Sequence, residues 1–142
     1  MTVLGGYNAT MVTKTQHAQD QHESSKNVQQ YIHERIAEPD EPLDREVLAA
    51  VAGFSVPHFH RIFTASMGES SISYVRRMRL ERAGRKLRMG AVDITEVALA
   101  AGYDTHAAFS KAFKQRYGLS PREFRELNCY TATQILKKTI TR

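Results

Sequence analysis

Five residues of this chain return at a nearly constant distance. Ala49, Gly53, Phe59, Phe63 and Gly68 reappear as Ala98, Gly102, Phe109, Phe113 and Gly118, at offsets of 49, 49, 50, 50 and 50. The second copy thus carries one extra residue between its glycine and its first phenylalanine. An aromatic residue follows each internal glycine, Phe54 in one copy and Tyr103 in the other. A fixed period of this size signals a duplicated supersecondary unit. Two copies are too few for a solenoid, so the expected fold is one unit built twice and joined by whatever lies between.

The stretch between is Ile72 to Met89. Seven of its eighteen residues are Arg or Lys, against one Glu. Apolar residues at 72, 75, 78, 80, 83 and 87 follow helical spacing. A helix of that length spans about 27 Å. Its basic circumference excludes a fully buried rod.

Charge is distributed unevenly. Residues 1–55 hold four Lys/Arg and eight Asp/Glu, residues 56–127 hold thirteen and seven, and residues 128–142 hold three and none. The basic excess therefore belongs to the repeat and its connecting helix. Such a concentration suits a polyanionic partner, with a solvated helix face as the plainer alternative. No apolar run is long enough for a membrane helix. Met1 to Ser25 lacks the basic start and apolar block of a secretory signal. Cys129 is the single cysteine, which excludes an internal disulfide and fits a reducing compartment.

In chain order, Val28, Tyr31, Ile32 and Ile36 predict a helix over 26–36, with Ser25 as its N-cap. Pro39 and Pro42 end it. Asp44 caps a short helix, roughly 45–51, and Gly53 supplies a left-handed turn at its end. Ser55 caps the next helix, with Pro57 in its first turn, which runs to Met67 and stops at Gly68. In the second copy, Asp93 to Glu96 reads as a capping box. Ile94, Val97, Ala98 and Ala101 face inward, and Gly102 makes the turn. Asp104 or Thr105 caps a helix running to Tyr117, which Gly118 stops. Ser120-Pro121-Arg122-Glu123 is a strong helix start, leading to Phe124 and Leu127 in the core. From Asn128 the pattern weakens. Ala132, Ile135, Leu136 and Ile140 suit either a frayed helix or the stub of a further domain.

Two short helices about a glycine turn, the second with an apolar stripe and a cationic one, form the pattern of a helix-turn-helix. The second helix of such a unit enters the DNA major groove. The expected class is all-α: two helix-turn-helix subdomains, about seven helices, joined by a long basic linker helix. Its expected divisions are a flexible arm over 1–25, the first subdomain over 26–71, the linker over 72–89, the second subdomain over 90–127, and a tail over 128–142.

The run Gly53-Phe-Ser-Val-Pro-His-Phe-His-Arg-Ile-Phe63 resembles the first helix-turn-helix of the AraC/XylS transcription regulators. Tyr74-Val-Arg-Arg-Met-Arg-Leu-Glu-Arg-Ala83 resembles the start of their linker helix. Gly102-Tyr-Asp-Thr-His-Ala-Ala-Phe-Ser-Lys-Ala-Phe-Lys114, followed by Gly118-Leu-Ser-Pro121, resembles their signature second unit. The likeness covers about 26–127, with several motifs in order, and the layout is most similar to compact members of the family. It implies a bacterial, cytoplasmic, nucleoid-associated regulator, and in particular an activator that contacts RNA polymerase. It also implies binding of double-stranded promoter DNA as a monomer, at an asymmetric site of about two turns. Two recognition helices would then enter the groove about 34 Å apart.

By the same resemblance, the base-reading positions are Pro57, His60 and Arg61 in the first unit, and His106, Ala107, Ala108 and Lys111 in the second. Arg61 can fork onto a guanine, and Lys111 can reach guanine or a phosphate. Ala107 and Ala108 can touch only a thymine methyl, so the second unit is expected to read weakly and to clamp the backbone. Phosphate contacts are expected from Ser55, Thr64, Arg76, Arg79, Arg82, Thr105, Ser110 and Lys114, which position without specifying.

Other readings weigh less. His58 and His60 diverge on a helix with no Cys or acid cluster beside them, so no metal is expected, and no cofactor. His17 and His22 read as solvent-exposed, and Cys129 as inert. The four phenylalanines at i, i+4 spacing are core. No nucleophile–base set, paired carboxylates, phosphate loop or metal-ligand set appears, so the chain is not expected to be an enzyme. The arm and tail are too short for an effector domain, so no small-molecule ligand is expected within this chain. The serious rival is a helical protein-docking module, whose binding would be insensitive to salt.

Overall fold

The structure, a computed structural model, describes residues 26–38, 40–89 and 93–138. The readings placed on residues 1–25, on Pro39 and on Ile140 fall outside the described residues. Within them the chain forms eight helices and no strand. These are α1 (26–35), α2 (Arg45–Ala52), α3 (Val56–Met67), α4 (Ser71–Leu87), α5 (Ile94–Ala100), α6 (His106–Tyr117), α7 (Pro121–Arg125) and α8 (Cys129–Lys138). They fall into two compact units. The first holds 42–74 with α1 up to residue 34, and the second holds 35–41 with everything from Val75 onward.

Local sequence sets both helix-turn-helix elements in the same way. In the first unit the Asp44 carboxylate accepts the Val47 N–H at 2.9 Å and starts α2. The helix ends when the Gly53 N–H donates to Ala50 O and the Phe54 N–H to Ala49 O, with Gly53 at φ 78°. In the second unit the Gly102 N–H donates to Leu99 O and the Tyr103 N–H to Ala98 O, with Gly102 at φ 91°. Both are six-residue glycine turns of Schellman type. Because the turns match, the extra residue of the second copy must follow them, and it is Asp104. Ser55 and Thr105 then cap α3 and α6, which run twelve residues each to left-handed glycines, Gly68 and Gly118. Of the two residues expected to cap α6, Thr105 does so: its hydroxyl accepts the Ala108 N–H at 3.0 Å. Asp93 departs from the capping-box expectation. Its carboxylate accepts from the Thr95 N–H at 3.1 Å, two residues on, where a box uses the third.

The repeat extends further than its five signature residues. Ser70 Oγ accepts the Ser73 N–H at 3.1 Å, and fifty residues later Ser120 Oγ accepts the Glu123 N–H at 3.1 Å. Tyr74 meets Phe63 edge-on at 5.6 Å, and Phe124 meets Phe113 edge-on at 5.3 Å. The first turn of α4 is therefore to the first unit what α7 is to the second. This explains why the division between units falls inside α4, after Tyr74.

Unit 1 buries Val28, Ile32, Leu43, Leu48, Ala49, Phe59, Phe63 and Tyr74. The Tyr74 hydroxyl lies 3.3 Å from His33 Nε2, tying α4 to α1. Unit 2 buries Leu80, Ala83 and Leu87 of α4 with Ile94, Val97, Ala98, Phe109, Phe113, Tyr117 and Phe124. Residues 128–138 are a built part of this unit. Asn128 Oδ1 accepts the Thr131 N–H at 2.8 Å, and Ala132 and Leu136 of α8 are buried in the same core. A Cβ on Gly84 would stand 3.0 Å from Leu136 Cδ2 and 3.6 Å from Phe124 Cε2, so the glycine makes room for α8.

Candidate nucleic-acid interface

Helical periodicity divides the surface of α3. Phe59 and Phe63 point into unit 1, while Pro57, His60, Arg61 and Thr64, at i, i+3, i+4 and i+7, form one outward stripe. Pro57, Arg61 and Thr64 are exposed. His60 is half-buried, and its Nδ1 is buried with no hydrogen-bond partner among the described residues.

The same stripe on α6 consists of Ala107, Ser110, Lys111 and Lys114, each fifty residues beyond its counterpart. Phe109, Phe113 and Tyr117 hold the buried side. His106, Ala107, Ala108, Lys111 and Lys114 are exposed and Ser110 is half-buried. The two stripes share geometry and differ in chemistry. The first offers one guanidinium, one imidazole and one hydroxyl. The second offers two ammonium groups, a hydroxyl and a methyl. The caps sit where α3 and α6 begin: Ser55 Oγ accepts the His58 N–H at 3.4 Å, a longer bond than that of Thr105.

The basic residues of 72–89 separate into two groups. Arg79 is half-buried, with one guanidinium nitrogen 3.5 Å from Glu41 O and another 3.2 Å from where a Gly102 Cβ would stand. Burial lowers its pKa, partly offset by the nearby Tyr103 hydroxyl. Burial likewise raises Tyr103, while Arg76 and Arg79 pull it back. Arg88 donates to Phe124 O at 3.1 Å and Arg125 O at 2.9 Å, closing the end of α7, with its guanidinium 6.0 Å from the Phe124 ring centre. Arg85 pairs with Glu81 at 3.4 Å. Among the described residues, Arg76, exposed, and Arg82 and Lys86, half-buried, carry no carboxylate partner. Sequence spacing gave no sign that Arg79 and Arg88 brace unit 2, since their partners are backbone carbonyls over thirty residues away.

Among the described residues no group of three or more His, Cys, Asp and Glu is placed to hold a metal ion, and no helix is long and apolar enough to cross a membrane.

Comparison with known proteins agrees with this geometry. The family described as "Helix-turn-helix domain" matches residues 48–127. The transcriptional regulator Rob of Salmonella typhimurium is 32% identical over 93 residues, which is 66% of this chain and 32% of Rob. The chain spans a third or less of the length of the first curated relatives it matches. Among solved structures, the DNA-binding domain of AdpA in complex with a target DNA has a TM-score of 0.64 at 28% identity. It covers 71% of this chain and 88% of that one. A probable AraC family transcriptional regulator from Rhodopseudomonas palustris has a TM-score of 0.64 at 26% identity, covering 73% and 95%. With the duplicated turn, the matched stripes and these likenesses together, the chain belongs to the AraC/XylS family of helix-turn-helix DNA-binding transcription regulators.

Proposed function

We propose that this chain recognises one asymmetric double-stranded promoter site as a monomer, through α3 and α6 in major-groove segments, and activates transcription by contacting RNA polymerase. The observation that carries this reading is the pair of outward stripes, Pro57-His60-Arg61-Thr64 and Ala107-Ser110-Lys111-Lys114, on helices of equal length and capping. The AdpA domain, its structural likeness, is itself bound to a target DNA. Arg61 reads guanine, and His60 presents Nε2 to a base edge. His106, Ala107, Ala108 and Lys111 contribute less sequence information, with Ala107 and Ala108 limited to thymine methyls. Ser55, Thr64, Thr105, Ser110 and Lys114 serve phosphates, joined by Arg76 and Arg82. Arg79 is the weakest member of the phosphate set, because a phosphate would compete with its contacts at Glu41 and Gly102.

Selection of bound sequences from random duplex DNA at near-physiological salt tests this. The expected product is one asymmetric motif with two blocks, the block read by α6 carrying less information, bound by a single chain. Two chains on a minimal site, measured by mass of the complex, would refute the monomeric mode. No enriched motif, with affinity indifferent to salt, would refute DNA recognition and favour a protein-docking role.

A further inference from the structure

Unit 2 holds a cavity of about 180 Å³ that the DNA-reading stripes do not use. Ile36, just past α1, and residues of α4 and α5 line it. Its floor is Ile36, Ala83, Val97 and Ala101, all buried, with Ala100 exposed at the edge. The pocket is open to solvent on one side, and its volume is of the order of an engineered cavity of about 150 Å³ that takes up benzene. The available space therefore suits one six-membered ring or a chain of similar bulk.

The rim is charged, and with one predominant sign. Arg79, Arg82 and Lys86 line it against a single acid, Glu96. Arg82 and Lys86 have no carboxylate within ion-pair distance among the described residues. Two neighbouring half-buried cations without an acid partner suit a carboxylate, whose oxygens accept charge-assisted hydrogen bonds. We propose that this cavity is a binding site for a small apolar carboxylate, its hydrocarbon part on the Ala83–Val97–Ala101 floor and its anion at the Arg82–Lys86 rim.

The test is a methyl-resolved NMR titration of the full chain with cyclohexanecarboxylate, with cyclohexanecarboxamide as the neutral isostere. Saturable shifts confined to Ile36, Ala83, Val97, Ala100 and Ala101 are expected, with the amide bound about fivefold more weakly, as for a partly exposed ion pair. Lys86→Gln should weaken the acid by a similar factor. Ala100→Phe, at an exposed position, should fill the cavity and abolish binding while the methyl spectrum of unit 1 stays unchanged. Equal binding of acid and amide, shifts scattered without saturation, or undiminished binding in Ala100→Phe would each overturn the proposal.

Discussion

Gly84 sits in the interior of α4, where glycine is a poor choice. Replacing it by alanine should gain about 1 kcal/mol of helix propensity. Yet the new methyl would stand 3.0 Å from Leu136 Cδ2, with Phe124 Cε2 at 3.6 Å and Leu136 Cδ1 at 3.7 Å also against it, so the buried Leu136 side chain must give way. Crowding of this kind in a packed core costs about 1–3 kcal/mol. Gly84→Ala in the parent chain is therefore expected to destabilise unit 2 by roughly 1 kcal/mol. Leu136→Ala, at a residue 8% exposed, should itself destabilise by about 2–5 kcal/mol. In that background the obstructing methyls are gone. Gly84→Ala should then stabilise, by about 1 kcal/mol, so the sign of one substitution reverses with the state of another. Hydrogen exchange of the α6 amides in the four proteins reads unit 2 apart from unit 1. A loss of equal size in both backgrounds would show that the cost does not arise between α4 and α8. A gain in both would show that the contact yields freely, and either result refutes the packing account.

Arg61→Ala should weaken binding to the preferred site by about 1–3 kcal/mol and erase preference at one base pair. Lys114→Ala should weaken all sequences alike and lower the salt slope by about 1. Titrations at several salt concentrations on specific and scrambled duplexes separate the two, and a uniform loss for Arg61→Ala would refute base reading. The Ser120 N–H and hydroxyl, with Lys114 nearby, hold the Glu123 carboxyl below its usual range. Its contribution is present above the unfolded pKa and is lost as pH falls through the lowered folded value. Glu123→Gln should flatten that part of the acid unfolding curve. Burial pushes the Tyr117 hydroxyl up to about 12, with Glu81 adding to the shift. Stability tied to the neutral phenol is present below the ordinary value of 10.0 and falls away as pH rises towards 12. Tyr117→Phe should remove this alkaline loss, and at neutral pH should stabilise by about 1 kcal/mol, because the hydroxyl is buried without a partner among the described residues. Denaturant midpoints across pH check both.

Features governed by a few adjacent residues were readable in the chain. Asp44, Ser55 and Ser120 act as caps, and Gly53, Gly68, Gly102 and Gly118 adopt positive φ, because capping and left-handed turns are decided within five residues. Asp104 and Thr105 are locally equivalent as caps, since either side chain suits the position, and only the fold of the turn decides for Thr105. The docking of α8 was obscure for a different reason. Its apolar residues gain their burial from a gap at Gly84, some fifty residues earlier, and no local pattern records that. Arg79 and Arg88 were hidden in a run of similar cations, and only tertiary packing distinguishes those turned inward from Arg76. The stripes on α3 and α6 were legible as helix faces. The equivalence of Tyr74 with Phe124 was not, because a long helix follows one and a chain reversal the other.

That difference decides whether a closing helix also opens another unit. α4 closes the first unit with Tyr74 and then continues to Leu87, opening the second with Leu80, Ala83 and Leu87. α7 likewise begins with a serine cap and a buried aromatic, but stops after five residues. Asn128 restarts the chain as α8, which folds onto the core of the unit it follows. The scheme is thus one of concatenation, a closing helix serving as the foundation of its successor, whereas α8 turns back onto the core it follows. A variant in which α7 ran on for three further turns would present a foundation for a third reading module.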